Sequence, residues 1–124
     1  MIFCNTRSEV RSVSTYLTQK GLPVEMISSD LTQKKRESVM SLFRSGKIRH
    51  LVATDVAARG IDIDELSHVF IYSTPDSPED YIHRAGRTGR SGSGGNVVSL
   101  VSATDLVSFN RLENQYQLQL IERD

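Results

Sequence analysis

Tryptophan is absent from this chain of 124 residues, cysteine occurs once and proline three times. The single cysteine, Cys4, excludes an intrachain disulfide and any zinc site built from several cysteines. That usage fits a reducing compartment, so a cytoplasmic or other reducing intracellular location is expected. No apolar run approaches the ~20 residues that a spanning helix needs, so no membrane partner is expected. The opening Met1-Ile2-Phe3-Cys4 lacks the basic start and long apolar stretch of a secretion signal. Net charge is missing too, with fifteen Lys and Arg against fifteen Asp and Glu. At 38% hydrophobic and 24% charged residues, the composition excludes disordered, collagen-like and low-complexity chains. One domain over residues 1–124 is expected, hiding about two-thirds of the unfolded chain's surface.

The zero net charge conceals segregation. Residues 31–50 carry six basic side chains (Lys34, Lys35, Arg36, Arg44, Lys47, Arg49) against one acid, Glu37. Residues 55–80 carry seven acids against one base, Arg59, and residues 81–95 hold Arg84, Arg87 and Arg90 with no acid. Basic blocks in a neutral chain point either to anionic partners at chosen places or to solvated faces.

Apolar periodicity alternates between strand and helix about five times. Residues 2–4 read as a strand, and residues 8–20 as a helix with Val10, Val13 and Leu17 on one face. Thr6-Arg7-Ser8-Glu9 fits a capping box, and Gly21 with Pro23 ends that helix. Strands are expected at 24–28, 51–53, 69–72 and 97–101. A second helix, capped within residues 30–33, turns Val39, Met40, Leu42 and Phe43 inward and stops at Gly46. Ser77-Pro78-Glu79-Asp80 combines a cap, a first-turn proline and acids at the positive dipole end. Residues 92–95 read as a flexible turn. A last helix from Thr104 carries Leu106, Phe109, Leu112, Tyr116 and Leu120. Such alternation predicts an α/β fold, a doubly wound parallel sheet with helices on both faces. Ligands of these sheets bind at loops leaving the carboxyl ends of strands. The chain starts directly on a strand, as a piece of a longer protein would.

Four motifs fall on such loops or on helix starts. In Tyr81-Ile82-His83-Arg84-Ala85-Gly86-Arg87-Thr88-Gly89-Arg90, three arginines recur every third residue with two glycines between. Each glycine weakens a helix by ~1 kcal/mol relative to Ala. Their spacing makes sense where backbone turns or approaches a ligand closely, and guanidinium forks suit phosphate oxygens. In Ala53-Thr54-Asp55-Val56-Ala57-Ala58-Arg59-Gly60-Ile61-Asp62, Thr54 can bond a phosphate, Gly60 permits close approach and Asp62 can accept from sugar hydroxyls. An ordinary helix cap at Thr54 or Asp55 explains part of the same stretch. Phe3-Cys4-Asn5-Thr6-Arg7 leaves the first strand, and Gln33-Lys34-Lys35-Arg36 opens a helix where amides can hold phosphate.

Taken in this order, the four motifs resemble the second RecA-like domain of the DEAD-box RNA helicases over essentially the whole chain. Residues 3–7 resemble motif IV, Gln33 and Arg36 the Gln-x-x-Arg element, residues 53–62 motif V and residues 81–90 motif VI. His83 stands where related helicase families usually have Gln, which favours the DEAD-box branch. The resemblance implies a RecA-like fold and an RNA-stimulated ATPase in a longer protein, with this chain alone inactive. Arg87 and Arg90 would meet the γ-phosphate of ATP as arginine fingers, and His83 would link motif VI to the catalytic loops of the other domain. Gly60 and Asp62 would touch ribose and phosphates. Thr6, Arg7, Gln33, Arg36 and Thr54 would grip RNA through its backbone, while Arg59 and Arg84 would couple the domains. ATP with Mg²⁺ would be held mainly by the N-terminal RecA-like domain, because this chain has no phosphate loop, no Asp-Glu-Ala-Asp and no adenine-reading Gln motif.

Two positions depart from the family pattern. Ser29 stands where a glycine is common, which bears on a close backbone contact with RNA, and Ser91 stands where an aromatic often lies near adenine. Three other functions fit less of the sequence. A receiver domain would use Asp55 as phosphoacceptor, but Cys4-Asn5 offers no acids for Mg²⁺ after the first strand and no lysine follows the fifth. An ATP-independent RNA- or protein-binding module would leave motif VI without a purpose, and a DNA-directed helicase of the same superfamily is the third.

Overall fold

The computed structural model describes residues 1–59, 66–87 and 95–116, with the Ser108 and Tyr116 side chains excepted. Gly60, Asp62, Arg90 and Ser91, and Leu120 of the last helix, lie outside the described residues. The elements run β1 (Ile2–Phe3), α1 (Arg7–Gln19), β2 (Val24–Ile27), α2 (Gln33–Arg44), β3 (His50–Ala53), α3 (Asp55–Ala58), β4 (His68–Ile71), α4 (Pro78–Ala85), β5 (Asn96–Ser99) and α5 (Leu106–Tyr116). Five strands in the order β2-β3-β1-β4-β5 form one parallel sheet.

That order explains the layers. From β1 the chain steps over β3 to β2, whereas each later crossover runs the opposite way along the sheet. Right-handed connections therefore put α1 on one face and α2 with α4 on the other. Strand alternation matches. Cys4 and Val52 pack with Val10 of α1, while Phe3, Ile27, Ala53 and Ile71 join Val39, Met40, Tyr81 and Leu112 in the larger core. Next to α1, the same face stays open over β4 and β5, where Phe70, Val98 and Leu100 are exposed.

Local chemistry sets the helix limits. Thr6 and Glu9 form the reciprocal capping box, with Thr6 Oγ1 accepting from Glu9 N at 3.1 Å and Glu9 Oε1 accepting from Thr6 N at 3.2 Å. Gly21, at φ 80°, closes α1 in the left-handed region that favours glycine. Thr32 caps α2 by accepting from Lys35 N, and Ser77 caps α4 by accepting from Asp80 N at 3.2 Å. The sequence placed β4 and β5 one residue too late and carried β5 to residue 101; instead Leu100 N donates to Ile71 O beyond the strand end. The last helix begins as a 3₁₀ turn, Ala103–Asp105, before α5. Of the apolar residues noted for this helix, Leu106 is exposed and Leu112 is buried.

Candidate functional site

The carboxyl ends of β1, β3 and β4 face α4 across a small space, and Arg84 of α4 fills its centre. Its side chain is 1% exposed. The fork is bidentate to Asp55, Nε donating to Oδ1 at 2.8 Å and Nη2 to Oδ2 at 2.7 Å. Nη2 also donates to Asn5 Oδ1 and Nη1 to the Ser73 carbonyl, both at 2.8 Å. Beneath it lies Phe3, its ring centroid 5.6 Å from Cζ. A buried guanidinium is tolerated when its charge is paired and most of its N–H groups donate, as four of the five do here. Arg84, expected at the boundary with another domain, thus spends its fork inside this one.

Beside that fork, α3 is a single turn whose ends are held by side chains. Thr54 is its N-cap, Oγ1 accepting from Ala57 N at 3.3 Å. At the other end, Arg36 Nη2 donates to Ala57 O at 3.1 Å and Arg87 Nη2 to Ala58 O at 3.5 Å. So short a helix leaves its last carbonyls without intrahelical donors, and cations near that negative end are favourable. Arg87 has further partners among its surroundings.

A pocket opens next to α3, lined by Asp55, Arg59, Asp80, His83, Arg84 and Arg87 among others. It gathers four of the residues that the sequence assigned to the nucleotide side or to coupling: Arg59, His83, Arg84 and Arg87. Gly86, the C-cap of α4 between His83 and Arg87, has ordinary αR backbone. What it provides is room, since a Cβ there would sit 3.1 Å from the Ile82 carbonyl oxygen.

The residues assigned to RNA occupy the helix starts. Thr6 and Arg7 are exposed, with Arg7 Nη1 3.8 Å from Asp30 Oδ1. The Asp30 carboxyl is held below its ordinary range, first by the Ser28 hydroxyl, then by its own backbone N–H and the nearby Arg7 and Arg11 charges. Gln33 is exposed and donates to Glu37 Oε1 at 3.2 Å. Arg36 and Thr54 lie inward, against α3.

Sequence reasoning passed over Asn5, Asp55 and Ser73 as partners of the arginine cluster. Besides accepting from Arg84, Asn5 donates twice, its N to Ser73 Oγ and its Nδ2 to the Thr74 carbonyl, both at 2.8 Å. Ser73 Oγ in turn donates to Glu9 Oε1 at 3.3 Å, tying this loop to the α1 capping box. One signal was available: Arg84 lies three residues after Tyr81, on the apolar face of an amphipathic helix, where a cation needs a buried partner.

Among the described residues, no group of three or more His, Cys, Asp or Glu side chains comes together to hold a metal ion. None of the described helices is long and apolar enough to cross a membrane.

The sequence pattern of the helicase conserved C-terminal domain matches residues 1–92. An ATP-dependent RNA helicase FAL1 of Kluyveromyces lactis is 42% identical over 97% of this chain, which covers 30% of that protein. An ATP-dependent RNA helicase RhlB of Pseudomonas aeruginosa is 46% identical over 91% of this chain and 28% of its own length. Among solved structures, a DEAD-box protein of Methanococcus jannaschii superposes with a TM-score of 0.86 and 38% identity, over 95% of this chain and 32% of that one. The chain thus spans under a third of the length of these relatives.

Proposed function

This chain belongs to the helicase conserved C-terminal domain family, in its DEAD-box branch, and from that membership we propose that it is the second RecA-like half of an ATP-dependent RNA helicase, supplying arginine fingers to ATP hydrolysis and holding the RNA backbone. The observation that carries this reading is the pocket beside α3, where Arg59, His83 and Arg87 converge at the carboxyl edge of the sheet. Three cation-capable side chains in the lining of one pocket suit a triphosphate tail presented from a second domain.

In this reading ATP is bound by the N-terminal RecA-like domain, which also holds Mg²⁺; the described residues offer no such donor set. Arg87 reaches the γ-phosphate and neutralises the charge that spreads over its oxygens in the transition state. In this domain its guanidinium lies against the Ala58 carbonyl at the end of α3. Arg90, Gly60 and Asp62 complete the nucleotide contacts, and His83 and Arg59 face the partner domain.

RNA lies across the helix starts. Arg7 offers an exposed fork. Thr54 Oγ1 accepts from Ala57 N and keeps its hydroxyl proton to donate to a phosphate oxygen. Arg36 has one donor committed to Ala57 O and others left for RNA, with Thr6 and Gln33 alongside. Backbone contacts of this kind position a strand without reading its sequence.

The test is kcat of Arg87→Ala in the two-domain protein, measured beside its melting temperature. Arginine fingers contribute about 10³–10⁵ in rate, so turnover should fall by that order while the KM for ATP changes far less. Unaltered turnover per folded molecule, with a lowered melting temperature, would make Arg87 a structural prop for α3 and would return the chain to an ATP-independent binding module.

A further inference from the structure

We propose that Asp80 is a specificity-determining residue of the pocket beside α3, a fixed negative charge that weakens the pocket's hold on free inorganic phosphate, so that the phosphate split from ATP is let go. The proposal rests on the function given above and deepens it.

Asp80 is the third residue of α4, after Pro78 and Glu79. An acid at that position ordinarily serves its own helix, by reaching back to the backbone of the cap residue or by facing the positive end of the helix dipole. Helix α1 shows the first use in this same chain. Glu9, also third in its helix, accepts from Thr6 N at 3.2 Å and from the Ser73 hydroxyl at 3.3 Å. Asp80 has the same place without the same use. Its backbone N donates to Ser77 Oγ at 3.2 Å, which is the forward half of a cap. Its shorter side chain does not close the box, and among the described residues its carboxylate accepts no hydrogen bond and forms no ion pair.

Half-buried Asp80 instead lines the pocket with Arg59, His83 and Arg87. Asp55 and Arg84 share that lining but cancel each other, since the fork is bidentate to the carboxylate. With His83 neutral, two guanidinium charges then stand against the one carboxylate of Asp80 among the described residues. Phe3 and Ala58 complete the lining, and charges beside apolar walls are screened less than charges in open water. A contact raises the rate only where it is stronger in the transition state than in the bound states before it. Two arginine forks with nothing to oppose them would grip substrate and free product alike. One carboxylate in the same lining lowers that common grip. Glu79, the neighbouring acid, is exposed and lies outside the lining, which makes it the natural control.

The experiment uses the complete two-domain protein as wild type, Asp80→Asn, Asp80→Glu and Glu79→Gln. Steady-state ATPase at saturating RNA gives the KM for ATP and the inhibition constant of added inorganic phosphate, and melting temperature follows the fold. Asparagine keeps the shape of aspartate and removes its charge. We expect Asp80→Asn to lower the inhibition constant of phosphate about tenfold, the scale of one like charge a few ångströms away in a partly screened site. The KM for ATP should fall by less, because the other domain supplies most contacts to ATP. Asp80→Glu keeps the charge and should stay near wild type, and Glu79→Gln should leave the inhibition constant unchanged. An inhibition constant that Asp80→Asn leaves unchanged or raises overturns the proposal, and with a lowered melting temperature it makes Asp80 a partner of the helix dipole alone. An equal fall in Asp80→Glu or Glu79→Gln overturns it too, since the charge at this one place would then not be the cause. A wild-type protein without RNA-stimulated ATPase overturns the proposed function as well, whereas an unresponsive Asp80→Asn beside the expected loss in Arg87→Ala overturns the role of Asp80 alone.

Discussion

Arg36 has two uses that a single substitution separates. Its guanidinium braces the end of α3 through Ala57 O, and in the proposed function it also meets an RNA phosphate. Each neutralised phosphate of a single strand contributes about 0.7 to the slope of log K against log salt. Arg36→Ala in the two-domain protein should therefore flatten that slope by up to about this amount, equally on unrelated RNA sequences. A loss confined to one sequence, seen in titrations at several salt concentrations, would count against a backbone contact. At this scale the sequence was only half legible. The three-residue spacing of the arginines pointed to phosphate chemistry, yet by itself it did not separate Arg84, whose fork is buried against Asp55, from Arg87; only the place of Arg84 on the apolar face of α4 hinted at the difference. The difference is set by what the loops after β1 and β4 bring within reach, and those loops are remote in sequence.

The elements were more legible, because their ends are fixed by local chemistry. The Thr6–Glu9 box, the Gly21 stop, and the Ser77 cap followed by Pro78 stand where the residue pattern put them. Thr54 is the N-cap of α3, the ordinary explanation that the sequence left open. Strand limits were less legible, since register with a neighbour decides them: β5 stops at Ser99 because β4 stops at Ile71. The α4 cap gives a direct measure. Ser77→Ala removes the acceptor for Asp80 N and should cost about 1 kcal/mol of stability, read as a lower denaturation midpoint with unchanged denaturant dependence. Because α4 carries His83 and Arg84 and leads through its Gly86 cap into Arg87, the same variant should lower kcat in the two-domain protein more than the KM for ATP.

At the scale of the whole molecule, the alternation of strand and helix was enough to indicate a doubly wound parallel sheet, but not its strand order. That order depends on which strand each crossover skips, and the skipping of β3 and then β1 leaves no local trace. It is also what buries Cys4 under α1, fully enclosed with Val10 and Val52. Burial, aided by the Glu9 carboxylate and opposed by Arg84, pushes the thiol from its ordinary 9.0 up to about 12. The folded chain thus holds this proton more tightly than the unfolded one. The resulting stability is present below about pH 9 and is lost as pH rises toward about 12. Denaturation midpoints measured across pH 8 to 11 should fall at the alkaline end and should fall less in Cys4→Ala, a comparison that isolates the thiol from other titrating groups.

The enclosure of Cys4 also turns the chain into its own stopwatch. Burial keeps the Cys4 thiol protonated well above neutral pH, so the thiolate that reacts with a disulfide reagent is scarce in the folded chain even if the reagent could reach it. Labelling must then wait until α1 lifts from the sheet or the whole domain opens, and the single cysteine ensures that every event counted comes from that one place. The time course of labelling, followed without any added dye or tag, measures how often this domain breathes at the root of its first strand.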